Sequence, residues 1–134
     1  MKKYALLSLP LLLLLGCKSN DAVDPNEVKY IDLSQETEHK VREQYWIVEK
    51  RKEPVFPISA AKSDQSGCTE LIIGIGSDGK MTGYEVAKSY PKGVFDKTTA
   101  AALKRWKWKP TASNTARAPI LTRIQLDFEL TGAR

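Results

Sequence analysis

Residues that ordinarily bind metals or transfer protons are scarce in this chain of 134 residues. It contains one histidine, His39, and two cysteines, Cys17 and Cys68, so no Cys/His cluster has the spacing of a metal site. The glycines of "GIGSDG" (residues 74–79) lack the pattern of a phosphate-binding loop and are explained by a hairpin turn. Nothing in the sequence indicates a pair of carboxylates for acid–base catalysis. We therefore predict a protein that is not an enzyme and needs no cofactor or metal.

A hydrophobic run long enough to cross a membrane is also absent. The longest run extends from Ala5 to Leu15, 11 residues that include Pro10, whereas a spanning helix needs about 20. Two lysines precede it, and a basic start followed by a short apolar core is typical of secretory signal peptides. The sequence therefore predicts an exported protein whose residues 1–16 are a signal peptide.

The end of this run resembles a bacterial lipobox. In "LLGC" (residues 14–17) the small Gly16 stands directly before Cys17, and polar residues follow at once. In such signals the chain is cut before the cysteine, whose sulfur carries diacylglycerol, and several acyl chains anchor a protein firmly. The resemblance implies that Cys17 is the lipidation site, although an ordinary signal peptide with a chance cysteine is the alternative. By the same resemblance, a lysine rather than an aspartate directly after the cysteine, Lys18, implies that the protein is sorted to the periplasmic face of the outer membrane.

The charge balance bears on the class of partner. Without the two lysines of the signal peptide, the chain holds 19 basic and 16 acidic residues. Because this excess is small and the chain is exported, we do not expect nucleic acid as a partner. Anionic lipid, peptidoglycan or an acidic peptide is a better match.

Residues 17–53 are predicted to connect the lipid to a folded domain. Their first part, residues 18–33, is polar and weakly patterned, and we interpret it as a flexible tether. In residues 34–50, Val41, Tyr45 and Val48 fall on one helical face, although "YWIV" within the same segment has strand propensity. We favour a helix over residues 34–50.

Residues 54–131 have the pattern of an α+β domain. "TELIIGI" (69–75) and "MTGYEVAKSY" (81–90) are predicted to be the two strands of a hairpin. A helix over residues 94–108 follows, with Trp106 on its apolar face, and residues 120–130 alternate strictly between apolar and polar side chains. A right-handed crossover places this last strand antiparallel beside the first strand of the hairpin. We predict a small three-stranded antiparallel sheet with helices packed on one face.

These elements together resemble the TonB C-terminal domain family over residues 54–130. "EPVFPISAAK" is similar to the proline–aromatic–proline–small motif that opens the family's domain, and "SGCTELIIGIGSDGKMTGYEV" is similar to its first hairpin. "SYPKGVFDKTTAAALKRWKWKP" is similar to its most specific stretch: a serine, a hydrophobe–aspartate pair, an alanine-rich helix, and tryptophan–basic–aromatic–basic–proline. "IQLDFEL" is similar to the final strand.

The resemblance implies recognition of a peptide by strand addition. In the family's energy-transducing member, the domain docks with outer-membrane receptors, and a receptor segment, the TonB box, pairs with the last strand. Main-chain groups supply affinity and alternate side chains supply specificity in this mode. The implied partner-binding residues are Ile120, Arg123, Ile124, Gln125, Leu126 and Asp127 on the last strand, with Phe56 and Pro57 nearby. The alternatives are that Arg123, Gln125 and Asp127 are only a solvated face and that Phe56 and Pro57 only pack the domain entrance.

The chain departs from the energy transducer at its N-terminus. It has a lipidation signal in place of a membrane helix, and its tether of about 37 residues contains only two prolines, with a mean reach of roughly 35 Å. Direct energy transduction is therefore in doubt, while a role in TonB-dependent uptake, as of siderophores, remains the expectation. The alternatives are binding of another envelope protein and contact with peptidoglycan or lipid; a homodimer is also open. Glycan or lipid contact would use Lys104, Arg105, Lys107 and Lys109.

Overall fold

Six strands and three short α-helices make up the part of the chain that the computed structural model describes, residues 28–36 and 39–131. In chain order they are β1 (Ile31–Asp32), α1 (His39–Glu43), β2 (Trp46–Lys50), α2 (Ile58–Lys62), β3 (Gly67–Ile75), β4 (Met81–Tyr90), α3 (Asp96–Leu103), β5 (Lys107–Pro110) and β6 (Ile120–Phe128). No helix in this part is both long and apolar enough to cross a membrane. The predicted signal peptide and the predicted lipidation site, Cys17, lie outside the described residues.

The main sheet has four strands in the order β1-β6-β3-β4. The central strand, β3, pairs antiparallel with β4 on one side and with β6 on the other. The β3–β6 register runs without interruption from Gly67 opposite Phe128 to Ile75 opposite Ile120. The α+β class and the position of the last strand beside the first strand of the hairpin are therefore confirmed.

The prediction of a three-stranded sheet and of a structureless tether through residue 33 was wrong. Residues 31–32 form β1, which pairs parallel with the first two residues of β6. The main-chain N–H of Ile31 donates to the carbonyl oxygen of Pro119 at 2.9 Å, and that of Leu33 to Leu121 at 2.8 Å. A two-residue strand has no periodicity to detect, so sequence patterning could not reveal it.

The predicted helix over residues 34–50 was also wrong in extent. Only His39–Glu43 is helical, and Trp46–Lys50 is a strand that pairs antiparallel with β5 in a separate two-stranded sheet. Trp46 is fully buried, and its indole N–H donates to the carbonyl oxygen of Ala118 at 2.9 Å. The strand propensity of "YWIV" prevails here because β5 provides a partner strand and a buried site for the indole.

The helix predicted over residues 94–108 ends earlier, at Leu103. The following residues alternate between buried tryptophan and exposed lysine, the period of a strand, and Lys107–Pro110 forms β5. Trp106 is buried as expected, but from the turn after the helix, where its indole N–H donates to the carbonyl oxygen of Lys52 at 2.8 Å.

Asp96 fixes the crossover helix to the hairpin. Its Oδ1 accepts hydrogen bonds from the hydroxyls of Thr69 on β3, at 3.0 Å, and Ser89 on β4, at 2.6 Å. The Ser89 hydroxyl in turn accepts from the main-chain N–H of Gly93 at 2.8 Å. A carboxylate in the first turn also complements the helix dipole. The serine and the hydrophobe–aspartate pair of the sequence motif therefore join α3 to both strands.

Candidate partner-binding edge

The side chains of β6 divide between the core and the open face of the sheet. Those of the even-numbered residues are at most 5% exposed and pack in the core: Ile120, Thr122, Ile124, Leu126 and Phe128. Those of the odd-numbered residues lie on the opposite face and are partly or fully exposed: Leu121, Arg123, Gln125 and Asp127. The predicted alternation is confirmed, and of the predicted contacts on β6 only Arg123, Gln125 and Asp127 have side chains available to a partner.

The pairing with β1 shows which main-chain groups of β6 face away from β3. The carbonyl oxygens of Pro119 and Leu121 accept hydrogen bonds from the β1 segment, so odd-numbered residues direct their main-chain groups toward this side. Because main-chain direction alternates along a strand and the register is continuous, Arg123, Gln125 and Asp127 also direct theirs outward. The N–H and C=O of Ile124 and Leu126 point toward β3.

The N-terminal segment covers only the beginning of this edge. It pairs with Ile120 and Leu121, and Tyr30 crosses the open face to donate its hydroxyl to Thr82 Oγ1 at 2.9 Å. After Asp32 the chain turns away at Ser34, which is buried and whose carbonyl oxygen accepts from Arg123 Nε. We call residues 120–121 the covered rim and residues 123–127 the open rim, which has no partner strand within the described chain.

Ile120 departs most from its predicted role. Its side chain is fully buried, and β1 lies along the edge at this position. The prediction that the last strand is an edge along its whole length was therefore wrong at the covered rim. The cause is that the N-terminal segment, expected to be a tether, provides a strand.

A groove of about 360 Å³ adjoins the open rim. One wall is formed by the turn and helix that follow β1, with Glu36, His39 and Arg42. The other wall is the sheet, which contributes Gln125 and Asp127 together with Glu70, Lys88, Thr122 and Arg123. Sequence reasoning missed the first wall, because its residues approach β6 only through the folding of the N-terminal segment.

The polar groups on the sheet wall are paired with one another. Glu70 Oε2 lies 2.9 Å from Arg123 Nη1 and 3.9 Å from Lys88 Nζ. The Gln125 side-chain amide donates to Asp127 Oδ1 at 2.8 Å. Arg123 therefore makes contacts with both Glu70 and Ser34, and it holds the end of the N-terminal segment against the sheet.

Arg42 lies on the opposite wall of the groove, and within the described residues its ion pair is longer than that of Arg123. Its side chain is 12% exposed, and its ion pair within the described residues, with Glu43, is 3.9 Å long. The buried Nε has no hydrogen-bond partner in that part of the chain. Burial lowers the pKa of Arg42, and the neighbouring Glu43 carboxylate partly offsets this effect.

Phe56 packs at the far end of β6. Its ring makes edge-on contacts with Phe95, at a centroid distance of 5.5 Å, and with Phe128, at 5.9 Å, and the latter two rings stack at 4.4 Å. Pro57 precedes α2 in extended geometry. Phe56 therefore packs on the core while remaining half-buried, and its contact with a partner stays a prediction; its neighbour Val55 is 78% exposed.

The basic cluster lies apart from this groove. Lys104 and Arg105 are exposed in the turn after α3, and Lys107 and Lys109 are exposed on β5. None of the four lines the groove beside the open rim. A partner that binds the cluster would therefore use a different surface from one that pairs with β6.

Residues 52–130 match the family described as Gram-negative bacterial TonB protein, C-terminal. The chain belongs to the TonB C-terminal domain family. Over 60 residues, 45% of the chain, it is 30% identical to protein TonB of Pseudomonas aeruginosa, and this stretch covers 18% of that protein. The chain thus spans only a small part of this relative. The solution NMR structure of the Pseudomonas aeruginosa TonB C-terminal domain has the same fold, with a TM-score of 0.56 and 23% identity over 66% of this chain and 90% of that one.

Membership of this family indicates a protein-interaction module of the Gram-negative envelope. TonB C-terminal domains interact with outer-membrane receptors. A strand edge that no other described segment pairs with, beside a polar groove, is a suitable surface for such an interaction.

Proposed function

We propose that this protein is a lipid-anchored periplasmic module that binds a peptide segment of an outer-membrane TonB-dependent receptor by strand addition to the open rim. The observation that carries the proposal is the outward direction of the main-chain groups of Arg123, Gln125 and Asp127, which have no partner strand in the described chain. The process it would serve is TonB-dependent transport across the outer membrane, with siderophore uptake as an example.

The geometry of β1 supports this mode of binding. A parallel strand already pairs with β6 at the covered rim, so the twist of the sheet accepts a parallel partner there. A docked peptide would continue along the same edge beyond Ser34 and pair with three outward residues. Each main-chain hydrogen bond contributes about 1 kcal/mol net, so affinity would be modest and side-chain contacts would decide specificity.

Photo-crosslinking in cells tests the proposal. A benzoylphenylalanine at position 125 should capture a β-barrel receptor identified by mass spectrometry, whereas the same probe at position 107, exposed on β5, should not. Capture of glycan-bound material alone, from either position, would contradict receptor docking and favour the peptidoglycan alternative. Receptor capture should also persist at high salt, since main-chain pairing is weakly screened, whereas binding by the basic cluster would weaken.

The lipid anchor is a separate part of the proposal, and the lipobox resemblance at Cys17 supports it. Cys17→Ser, or globomycin treatment, should leave an unprocessed precursor that incorporates no labelled palmitate. Cys68→Ser is the matched control, because Cys68 belongs to β3 and is far from the signal in sequence; it should be processed and labelled normally. Normal cleavage of the Cys17→Ser chain would disprove the anchor.

A further inference from the structure

Arg42 is a poorly compensated charge on the wall of the groove. Its side chain is 12% exposed, its buried Nε has no partner in the described residues, and its ion pair is with Glu43, which is 56% exposed. An ion pair at 3.9 Å with an exposed carboxylate contributes little. A buried charge is ordinarily stabilised by a close hydrogen-bonded counter-ion, and Arg42 has none among the residues that the structure describes.

The other cations of the groove do not share this deficiency. Arg123 has Glu70 at 2.9 Å as its counter-ion, and Lys88 is largely exposed to water. The remaining carboxylates at the groove, Glu36 and Asp127, are exposed, and Asp127 already accepts from Gln125. A carboxylate brought into the groove by a partner would therefore be stabilised most by pairing with Arg42.

A strand docked on the open rim would bring side chains to this wall. Successive side chains of a strand point to opposite faces of the sheet, and the groove joins Arg42 to Gln125 and Asp127. A guanidinium group binds a carboxylate through two parallel N–H···O bonds, which are stronger than neutral hydrogen bonds. We propose that Arg42 binds the carboxylate of an aspartate or glutamate in the docked peptide and thereby selects acidic partner segments. This inference rests on the proposed strand addition.

Selection from a random peptide library on phage tests both ideas separately. With the full chain as bait, selected peptides should alternate in apolar residues and contain Asp or Glu at one fixed position. With Arg42→Gln as bait, the alternation should persist and the acidic preference should disappear. The best acidic peptide should bind the unmodified protein about tenfold more tightly than its Gln or Asn analogue, and Arg42→Gln should bind both equally.

Matched variants make the result specific. Arg105→Gln removes an exposed arginine that lines a separate depression beside α3, and it should leave the acidic preference intact. If circular dichroism shows that Arg42→Gln does not fold, Arg42→Lys replaces it: the charge remains but the paired geometry is lost, so the preference should fall to about threefold.

The outcomes distinguish the two proposals. Equal affinity of the unmodified protein for the acidic peptide and its amide analogue would overturn the role of Arg42, as would an unchanged preference in Arg42→Gln, and both would leave strand addition standing. If no alternating peptides are selected, or if their binding survives proline at position 125, strand addition is overturned and the inference about Arg42 with it.

Discussion

The covered rim and the open rim belong to one strand with one alternating pattern, yet they have different neighbours. At residues 120–121 the N-terminal segment pairs with the outward edge of the strand, whereas at residues 123–127 no described segment does. The side chains are disposed in the same way in both halves. Alternation therefore determines which side chains are buried, while the path of a distant segment determines which main-chain groups are available for binding.

The largest expected effect comes from substituting proline at one or the other of two adjacent residues of the open rim. Ile124→Pro removes an N–H that points toward β3 and a side chain that is 5% exposed, so it should destabilise the fold by about 3 kcal/mol or more. Gln125→Pro removes an outward N–H, so it should leave the fold largely intact and abolish peptide binding. Denaturant unfolding and peptide titration measure the two effects. Unchanged binding by folded Gln125→Pro would break the distinction between the two main-chain directions.

A smaller effect is expected where β6 ends. Phe56→Ala should destabilise the protein by about 2 kcal/mol, because Phe56 is half-buried against Phe95 and Phe128. Val55→Ala, at a side chain that is 78% exposed, is the control and should change stability by less than about 0.5 kcal/mol. Thermal unfolding distinguishes them. If Phe56→Ala instead retains stability and loses receptor binding, Phe56 is a contact residue and the docking surface extends past the open rim.

Removing β1 should make the covered rim behave like the open rim. Ile31→Pro deletes the N–H that donates to Pro119, which should cost about 1 kcal/mol and increase hydrogen exchange at the Leu121 amide. Val28→Pro, three residues earlier and exposed, is the matched control and should have neither effect. Unaltered exchange at Leu121 in Ile31→Pro would mean that β1 does not protect the edge.

The smallest expected effect is a pH dependence of the pairing between β1 and the covered rim. The Ser34 hydroxyl and then the Ser34 main-chain N–H, at 2.8 Å, lower the pKa of Asp32 below its ordinary value of 3.8. The ionised Asp32 carboxylate is therefore favoured in the folded segment. Its contribution to the stability of that segment is complete above about pH 4 and is lost as pH falls through the lowered pKa. The protection of the Leu121 amide, measured as the exchange rate of an unstructured amide at the same pH relative to its own, should fall in acid, and Asp32→Asn should remove that dependence. An equal acid response in Asp32→Asn would assign the effect to another group.

Several features of the domain could be predicted from the sequence because they depend on residues that are close together along the chain. The hairpin of β3 and β4, the crossover helix that begins near Asp96 and the alternation of β6 each leave a local pattern, and each was found in the structure. The segment around Trp46 and the stretch after Leu103 were misread as helix. Both are strands that pair with each other across about 60 residues of chain, and each stabilises the other in a way that local propensity does not record.

The amino-acid sequence by itself determined the family, the buried face of β6 and the residues that display their side chains beside it, because apolar period and motif spacing are properties of adjacent residues. Only the tertiary structure decided how much of that strand is an edge and that Arg42 lies beside it. The physical reason is that main-chain hydrogen bonds between distant segments involve groups that every residue carries, so they leave no mark in composition or spacing.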